Sequence, residues 1–206
     1  MTLKFEEIIS VFRERPASRM EKMPKKKYAI LIPLVEKKDS LQLVFQIRAS
    51  HLKKQPGDIC FPGGKVEVID PSHMAAAVRE TSEELGIHPD TITDVYPLDY
   101  MIDTVAIYPF VGKLEQPDTI QVNSDEVAEV FTVPLSFFLE NPPATHYVKL
   151  TPQPADDFPY HLIEGGKDYK WYDRKLDIPF YQYEDKVIWG LTARILQQFI
   201  ETLKKA

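Results

Sequence analysis

The chain has 206 residues, with 25 Lys plus Arg against 31 Asp plus Glu and a formal net charge of −6. That balance argues against general affinity for nucleic acid, whose nonspecific binding draws on Lys and Arg contacts to phosphate. The length suits one substantial core in a single domain, and the only cysteine, Cys60, excludes an intramolecular disulfide framework or a multi-cysteine zinc site.

"FEEIISVFRERP" places Phe5, Ile8, Ile9 and Phe12 at helical spacing and stops at Pro16, predicting a short amphipathic helix within residues 1–20. Acidic residues interrupt this apolar pattern, unlike a secretory signal, and no run approaches the roughly 18 apolar residues that span a bilayer. A cytoplasmic protein with no membrane contact is expected. "KMPKKKYAI" reads as a solvated basic rim. The apolar runs "YAILIPLV" and "LQLVFQIR", split by the polar "EKKDS", then predict a hairpin.

"DICFPGG" reads as a short strand ending in a glycine pair, with Cys60 a small buried hydrophobe. The period then becomes helical. Met74, Ala77, Val78, Thr81 and Leu85 fall on one stripe, and Gly86 is placed to stop the helix. "ITDVYPLDY", "AIYPFVGKLE" and "EVAEVFTVPL" read as strands, and "VPLSFFLEN" turns into a short helix. Residues 141–185, rich in Pro, Tyr and Asp, suit strands joined by long loops. "VIWGLTARILQQFIETLKK" closes with an amphipathic helix whose apolar positions are 188, 191, 195, 196, 199 and 203, and whose Trp189 and Phe199 are expected in the core. The domain thus divides into an N-terminal helix (1–20), a core (25–140) and C-terminal strands, loops and helix (141–206). Mixed sheet with few helices is the coarse outcome.

"RETSEELG" is an awkward cluster for a helix, because like charges at i,i+4 cost an isolated helix roughly 0.2–0.5 kcal/mol. With the apolar stripe inward, Glu80, Glu83 and Glu84 share one face. A hard divalent cation between them would remove the repulsion, and magnesium favours carboxylate and water oxygens. Taken alone, the cluster is a solvated acidic face. Upstream, however, Gly63 and Gly64 let backbone approach a ligand closely, and the planar fork of Arg79 suits a neighbouring carboxylate. Together these look like a site for a metal-bound phosphate ester or anhydride.

With Gly64 upstream, the run from Arg79 through Glu80, Thr81, Ser82, Glu83, Glu84, Leu85 and Gly86 to Ile87 resembles the Nudix hydrolase signature, a glycine followed at set spacing by R-E-U-x-E-E-x-G-U, with U aliphatic. Thr81 stands at an aliphatic position. The run from Gly64 to Arg79 is one residue longer than the general pattern, with Asp70 where the early glutamate would fall. Both departures fit the branch similar to coenzyme A pyrophosphatases, in which an acidic pair, here Glu67 and Asp70, follows "PGGK". Upstream, Arg48, Leu52, Lys53 and Gly57 fill places of that branch's further motif, with Ala49-Ser50 a looser fit and Gln55 where a histidine is frequent.

The resemblance implies an α/β fold, a Nudix-type α/β/α sandwich with a mixed β-sheet. It implies metal-dependent hydrolysis of a nucleoside diphosphate linked to another moiety, coenzyme A or a derivative being cut to 3′,5′-ADP and 4′-phosphopantetheine. ADP-ribose, a dinucleoside polyphosphate or a non-catalytic nucleotide sensor are the alternatives. Glu80 and Glu84 would be the main ligands of Mg2+ or Mn2+, with Glu83 and the Gly64 carbonyl beside them and Arg79 orienting a carboxylate. The general base is open among Glu83, Glu126 and Glu67. Arg48, Lys53 and Lys54 form a positive patch ahead of the glycine turn, suited to a 3′-phosphate, with a solvated loop as the alternative. Tyr108, Phe110 and Trp171 read as core or loop packing, with adenine stacking the alternative. The five histidines read as surface or loop residues, and a homodimer is an expectation from the resemblance.

Overall fold

The computed structural model describes residues 23–37 and 40–205. The helix expected within residues 1–20 and the tip of the first hairpin lie outside these. Strand β1 (Lys27–Lys37) is apolar on both sides: Ala29, Leu31 and Val35 join one core cluster while Ile30, Ile32 and Leu34 join another. A strand alternates its side chains, so a near-continuous apolar run marks burial on both faces. Strand β2 (Ser40–Arg48) pairs antiparallel with β1, Leu34 opposite Leu43. It sends Leu43 and Phe45 to one face and Val44 to the other.

The sheet is mixed because β1 runs parallel to β7 (Ala106–Leu114), with Ala29 opposite Tyr108. Its main order is β3 (Ile59–Cys60), β2, β1, β7 and β5 (Ile92–Pro97). Strand β4 (Gly63–Lys65) joins β1, β6 (Met101–Ile102) joins β7, and β8 (Val127–Pro134) joins β2, all antiparallel. Helix α1 (His73–Leu85) covers one face through Ala76, Ala77 and Leu85. The other face is covered by α2 (Leu135–Glu140) through Phe138 and by α3 (Gly190–Leu203) through Ala193, Ile195, Leu196, Phe199 and Ile200. Each fully buried large aliphatic or aromatic side chain contributes about 1.5–3 kcal/mol. The expected α/β/α sandwich is therefore what forms. A second, antiparallel sheet of β9 (Ala144–Leu150), β10 (Arg174–Tyr183) and β11 (Lys186–Trp189) precedes α3. The long loop 151–173 packs Phe158, Tyr160, Tyr169 and Trp171 edge to face, as the loop-packing expectation for Trp171 requires.

Two sequence expectations shift. The buried line of α1 runs through Ala76, Ala77, Thr81, Glu84 and Leu85, whereas Met74 is 43% exposed. Ala77, Thr81 and Leu85 are buried as expected and Val78 packs beside them, and the buried line extends on the β4 side to Glu84, whose carboxylate accepts a hydrogen bond from the Gly63 N–H at 2.8 Å. At the C-terminus, Ile188 and Trp189 belong to β11, not to the helix. Gly190, with φ 63°, turns the chain from strand to helix. Strand alternation then puts Ile188 in the core and Trp189 outside, 46% exposed and stacked on Phe180 at 5.8 Å. Phe199 is buried as expected.

Candidate active site

The site is built where β4 meets α1. Ser72 caps the helix, its hydroxyl accepting from the Ala75 N–H at 3.1 Å, and a cap of this kind is worth about 1 kcal/mol. Gly86 ends it in the left-handed region, as the sequence predicts. Gly63 and Gly64 lie opposite Ile30 and Ala29 of β1. A Cβ on Gly63, at φ 141°, would collide with the Ala29 carbonyl, and a Cβ on Gly64 would enter the Glu80 carboxylate. The close approach anticipated for a ligand is thus made first by the protein's own backbone and by a helix glutamate.

The three helix glutamates share one face, as their i, i+3 and i+4 spacing requires, but differ in burial. Glu84 is 3% exposed. Burial pushes its pKa up to about 7, against the pull of the Gly63 N–H and the Gln46 amide, and the charges of Glu126 and Glu80 add to the rise. Glu80 is half-buried. Burial raises its pKa too, with Arg79 opposing and Glu83 and Glu126 adding. The Glu83 side chain is 58% exposed and accepts from Arg79 Nη1 at 3.2 Å. The spread follows from rotation: Glu84 lies on the inward line, Glu80 beside it and Glu83 at the rim. Among the described residues no group of three or more His, Cys, Asp or Glu side chains is already drawn together as a metal cage.

Arg79 is the hub of the rim. Nε and Nη2 donate to the two oxygens of Asp70 at 2.9 and 3.0 Å, Nη2 lies 2.9 Å from Glu80 Oε1, and Nη2 also donates to the Lys65 carbonyl at 3.2 Å. The guanidinium fork, with the Glu67 N–H second, holds the Asp70 carboxyl down at about 2. The sequence indicates an orienting arginine, and the structure identifies Asp70 as its bidentate partner. Glu67 is exposed, its carboxylate 4.0 Å from Lys65 Nζ.

Glu126 comes from the turn that opens β8, and its charge acts on both Glu80 and Glu84. The 49–57 loop is fastened beside it: Ala49 N–H donates to the Glu126 carbonyl at 2.9 Å, and the His51 ring lies 3.1 Å from the Asp125 carbonyl. Lys53 and Lys54 are exposed on this loop, and Arg48 lies at its base with Nε buried and without a hydrogen-bond partner. Of the aromatics considered for stacking, Phe110 is core, and Tyr108 has one face covered by His73 at 3.7 Å between ring centres.

Gln46 and Cys60 escape a motif-based reading. They are cross-strand neighbours in β2 and β3, and Gln46 Nε2 donates to Cys60 Sγ at 3.7 Å. Burial pushes the thiol up to about 11, with the nearby Glu84 charge next in size. The available signal is an amide inside the apolar run "LQLVFQIR".

Comparison with known proteins agrees with this architecture. A NUDIX domain model matches residues 25–152. The Mus musculus protein named "Peroxisomal coenzyme A diphosphatase NUDT7" is 40% identical over 149 residues, 71% of this chain, and the match spans 62% of the mouse protein, less than two thirds of it. "Uncharacterized Nudix hydrolase NudL" of Enterobacter sp. (strain 638) is 31% identical over 186 residues, 89% of this chain and 86% of that protein. In structure, a MutT/nudix family protein from Enterococcus faecalis covers 98% of this chain, and 70% of its own, at a TM-score of 0.50 and 16% identity, a likeness of fold. With the signature on α1, the glycine pair on β4 and a family match over more than half its length, the chain belongs to the Nudix hydrolase family.

Proposed function

We propose that this chain hydrolyses the diphosphate of coenzyme A or a derivative, giving 3′,5′-ADP and 4′-phosphopantetheine, with Mg2+ or Mn2+ as cofactor. The observation that carries this reading is the setting of Glu80 and Glu84 against the Gly63–Gly64 backbone, where Glu84 accepts from the Gly63 N–H and Glu80 fills the place of a Gly64 Cβ, with the charge of Glu126 from a separate element acting on both. Burial raises the pKa of both helix carboxylates, their mutual repulsion adds to it, and a divalent cation would offset that cost.

The donor set is all oxygen, which fits Mg2+ or Mn2+. Glu80 and Glu84 would hold the ion, with Glu83 and the Gly64 carbonyl at its edge. When bound, the metal supplies charge neutralisation at the diphosphate and acidifies water. The protein's own part is positional. Gly63 N–H holds Glu84 in place, Arg79 holds Glu80 and Glu83 at the rim, and Asp70 holds Arg79. Glu126, on a different element and fastened through its carbonyl to Ala49, is the carboxylate we assign as general base, in preference to Glu83, which Arg79 engages, and Glu67, which faces Lys65.

The coenzyme A assignment rests on the name of the mouse relative and on the basic loop. Arg48, Lys53 and Lys54 lie on the segment that abuts Glu126, so a 3′-phosphate held there would leave the diphosphate near the helix carboxylates. Residues 141–206 are part of the same proposed domain, since α3 packs on the central sheet. A homodimer and a cytoplasmic location complete the proposal and are read by light scattering and by fractionation.

The decisive assay separates products by chromatography with mass detection. Coenzyme A, dephospho-coenzyme A, ADP-ribose and NADH are each offered with Mg2+, Mn2+ or chelator. Coenzyme A cut best, only with metal, is the expected result. Preference for dephospho-coenzyme A would remove the grip on the 3′-phosphate, and no cleavage by folded protein would remove the hydrolase.

A further inference from the structure

Among the described residues β4 pairs with β1 alone, and the Gly63 N–H turns away from β1 to meet Glu84 at 2.8 Å. That carboxylate therefore sits at the unpaired edge of β4, in the plane of the sheet, within reach of either face. From this edge a row of backbone crosses the sheet: Gly63 lies opposite Ile30 of β1, Ile30 opposite Pro109 of β7, and the Pro109 carbonyl accepts from the Leu98 N–H at 2.9 Å. Neighbouring strands are about 4.8 Å apart, which puts Pro109 roughly 10 Å from Gly63. There, on the face that α3 covers, a cavity of about 170 Å³ opens between Leu98, Met101 and Pro109 of the sheet and Ile195 of the helix. Arg194, Gln198 and Asp99 stand at its rim. Gln198 Nε2 donates to Asp99 Oδ2 at 3.0 Å, so the pair presents the Gln198 amide oxygen and a carboxylate oxygen as acceptors, while Arg194 brings donors.

We propose that this cavity is the subsite for the amide-bearing arm of the substrate, the pantetheine end, while the basic loop 49–57 takes the nucleotide end. This rests on the coenzyme A reading above. Size and charge select the occupant. Sites that enclose a whole drug-sized ligand measure about 300–1,000 Å³, so this smaller space suits the end of a slender arm and not a nucleotide. One arginine against one aspartate leaves the rim without net charge, which suits neutral amides better than a phosphate. Their N–H groups meet the acceptors of Asp99 and Gln198, and their carbonyls meet Arg194. The reach agrees, since three amide-length units in extended form span about 10 Å. The topology agrees as well: Arg48 ends β2 on one side of β1, and Pro109 lies in β7 on the other. A diphosphate at the edge of β4 would thus have one arm on each side.

The test measures inhibition of coenzyme A cleavage by each product separately, 4′-phosphopantetheine and 3′,5′-ADP, in the wild-type chain, Gln198→Leu and Gln198→Trp, with melting temperatures to verify folding. Gln198→Leu should raise the inhibition constant of 4′-phosphopantetheine about 3–10-fold, the worth of one hydrogen bond. Gln198→Trp, which closes the rim, should raise it further, and both should leave the constant for 3′,5′-ADP at the wild-type value. A second readout needs no turnover: in methionine-methyl NMR spectra of the wild-type chain with Mg2+, 4′-phosphopantetheine should move the Met101 signal, assigned through Met101→Leu, and 3′,5′-ADP should not. Inhibition by 4′-phosphopantetheine unchanged in folded Gln198→Leu and Gln198→Trp overturns the proposal, as does equal weakening of both products, or a Met101 signal unmoved well above the inhibition constant. Folded wild-type protein that cuts no coenzyme A would remove the reading on which the subsite rests, a result distinct from cleavage with unaltered product inhibition.

Discussion

Asp70 and Arg79 meet side by side, Nε on Oδ1 at 2.9 Å and Nη2 on Oδ2 at 3.0 Å, tying the loop ahead of α1 to the middle of the helix. The same guanidinium still reaches Glu80 and Glu83. One planar group therefore sets the spacing of three carboxylates.

Lysine cannot reproduce that fork, since its ammonium is a point charge on a flexible stem. Arg79→Lys should lower kcat by about 10–100-fold while the folded content by circular dichroism stays at wild type. Asp70→Asn should do the same to a smaller degree, because the amide keeps one acceptor for Arg79. A kcat within twofold of wild type in Arg79→Lys would show that the fork does not orient the site.

Glu84→Gln separates chemistry from stability. The amide can still accept from the Gly63 N–H, and the cost of charge at this buried position disappears. Cleavage should fall by more than about a hundredfold, beyond the usual effect of losing a supporting group, while melting of the metal-free protein at pH 8 should rise. A mutant that cuts at the wild-type rate would take Glu84 out of the metal set.

The same glutamate gives the metal-free protein a pH dependence. Its folded pKa, about 7, lies above the ordinary 4.5, so the folded chain keeps a proton that the unfolded chain releases. That contribution is complete below pH 4.5 and is lost as pH rises through 7. Asp70 has the opposite sign: held near 2 against an ordinary 3.8, it stabilises above pH 3.8 and ceases to as pH falls through 2. Melting temperatures in chelator should decline between pH 5 and 7.5, and Glu84→Gln should flatten that decline. An unchanged slope in the mutant would assign it to other groups.

The two adjacent glycines should respond differently. Gly63→Ala meets backbone on both counts, an L-residue at φ 141° and a collision with the Ala29 carbonyl, and strain of this kind costs about 1–3 kcal/mol. Gly64→Ala meets only the end of the Glu80 side chain, which can swing away. Gly63→Ala should melt several degrees lower. Gly64→Ala should keep its melting temperature and lose Mn2+ affinity, and equal loss of stability in both would contradict the distinction.

Cys60 should be inert. With its pKa pushed from 9.0 to about 11, the thiolate fraction at pH 8 is about a hundredfold below that of an ordinary thiol. Iodoacetamide at pH 8 should label the protein rapidly only after unfolding in urea. Fast labelling of the folded chain would mean that the β3 end of the sheet opens.

What the sequence determined by itself was local or periodic in nature. Apolar runs foretold β1, β2, β7 and β8, Gly86 foretold the end of α1, and the spacing from Arg79 to Ile87 was specific enough to indicate the family. Such features live within a few turns of chain, where periodicity and turn chemistry decide. The tertiary structure decided the rest. It put Glu84 inside and left Met74 out, Glu84 finding a backbone partner in Gly63, 21 residues away, that the apolar spacing of the helix does not reveal. It let the charge of Glu126 act on the helix glutamates, gave Arg79 its partner in Asp70, and set Gln46 against Cys60. Ile188 and Trp189 went to a strand because β10 offered a backbone edge, which apolar spacing alone does not reveal. Each outcome depends on burial and pairing between residues distant in the chain, and there the local pattern is silent.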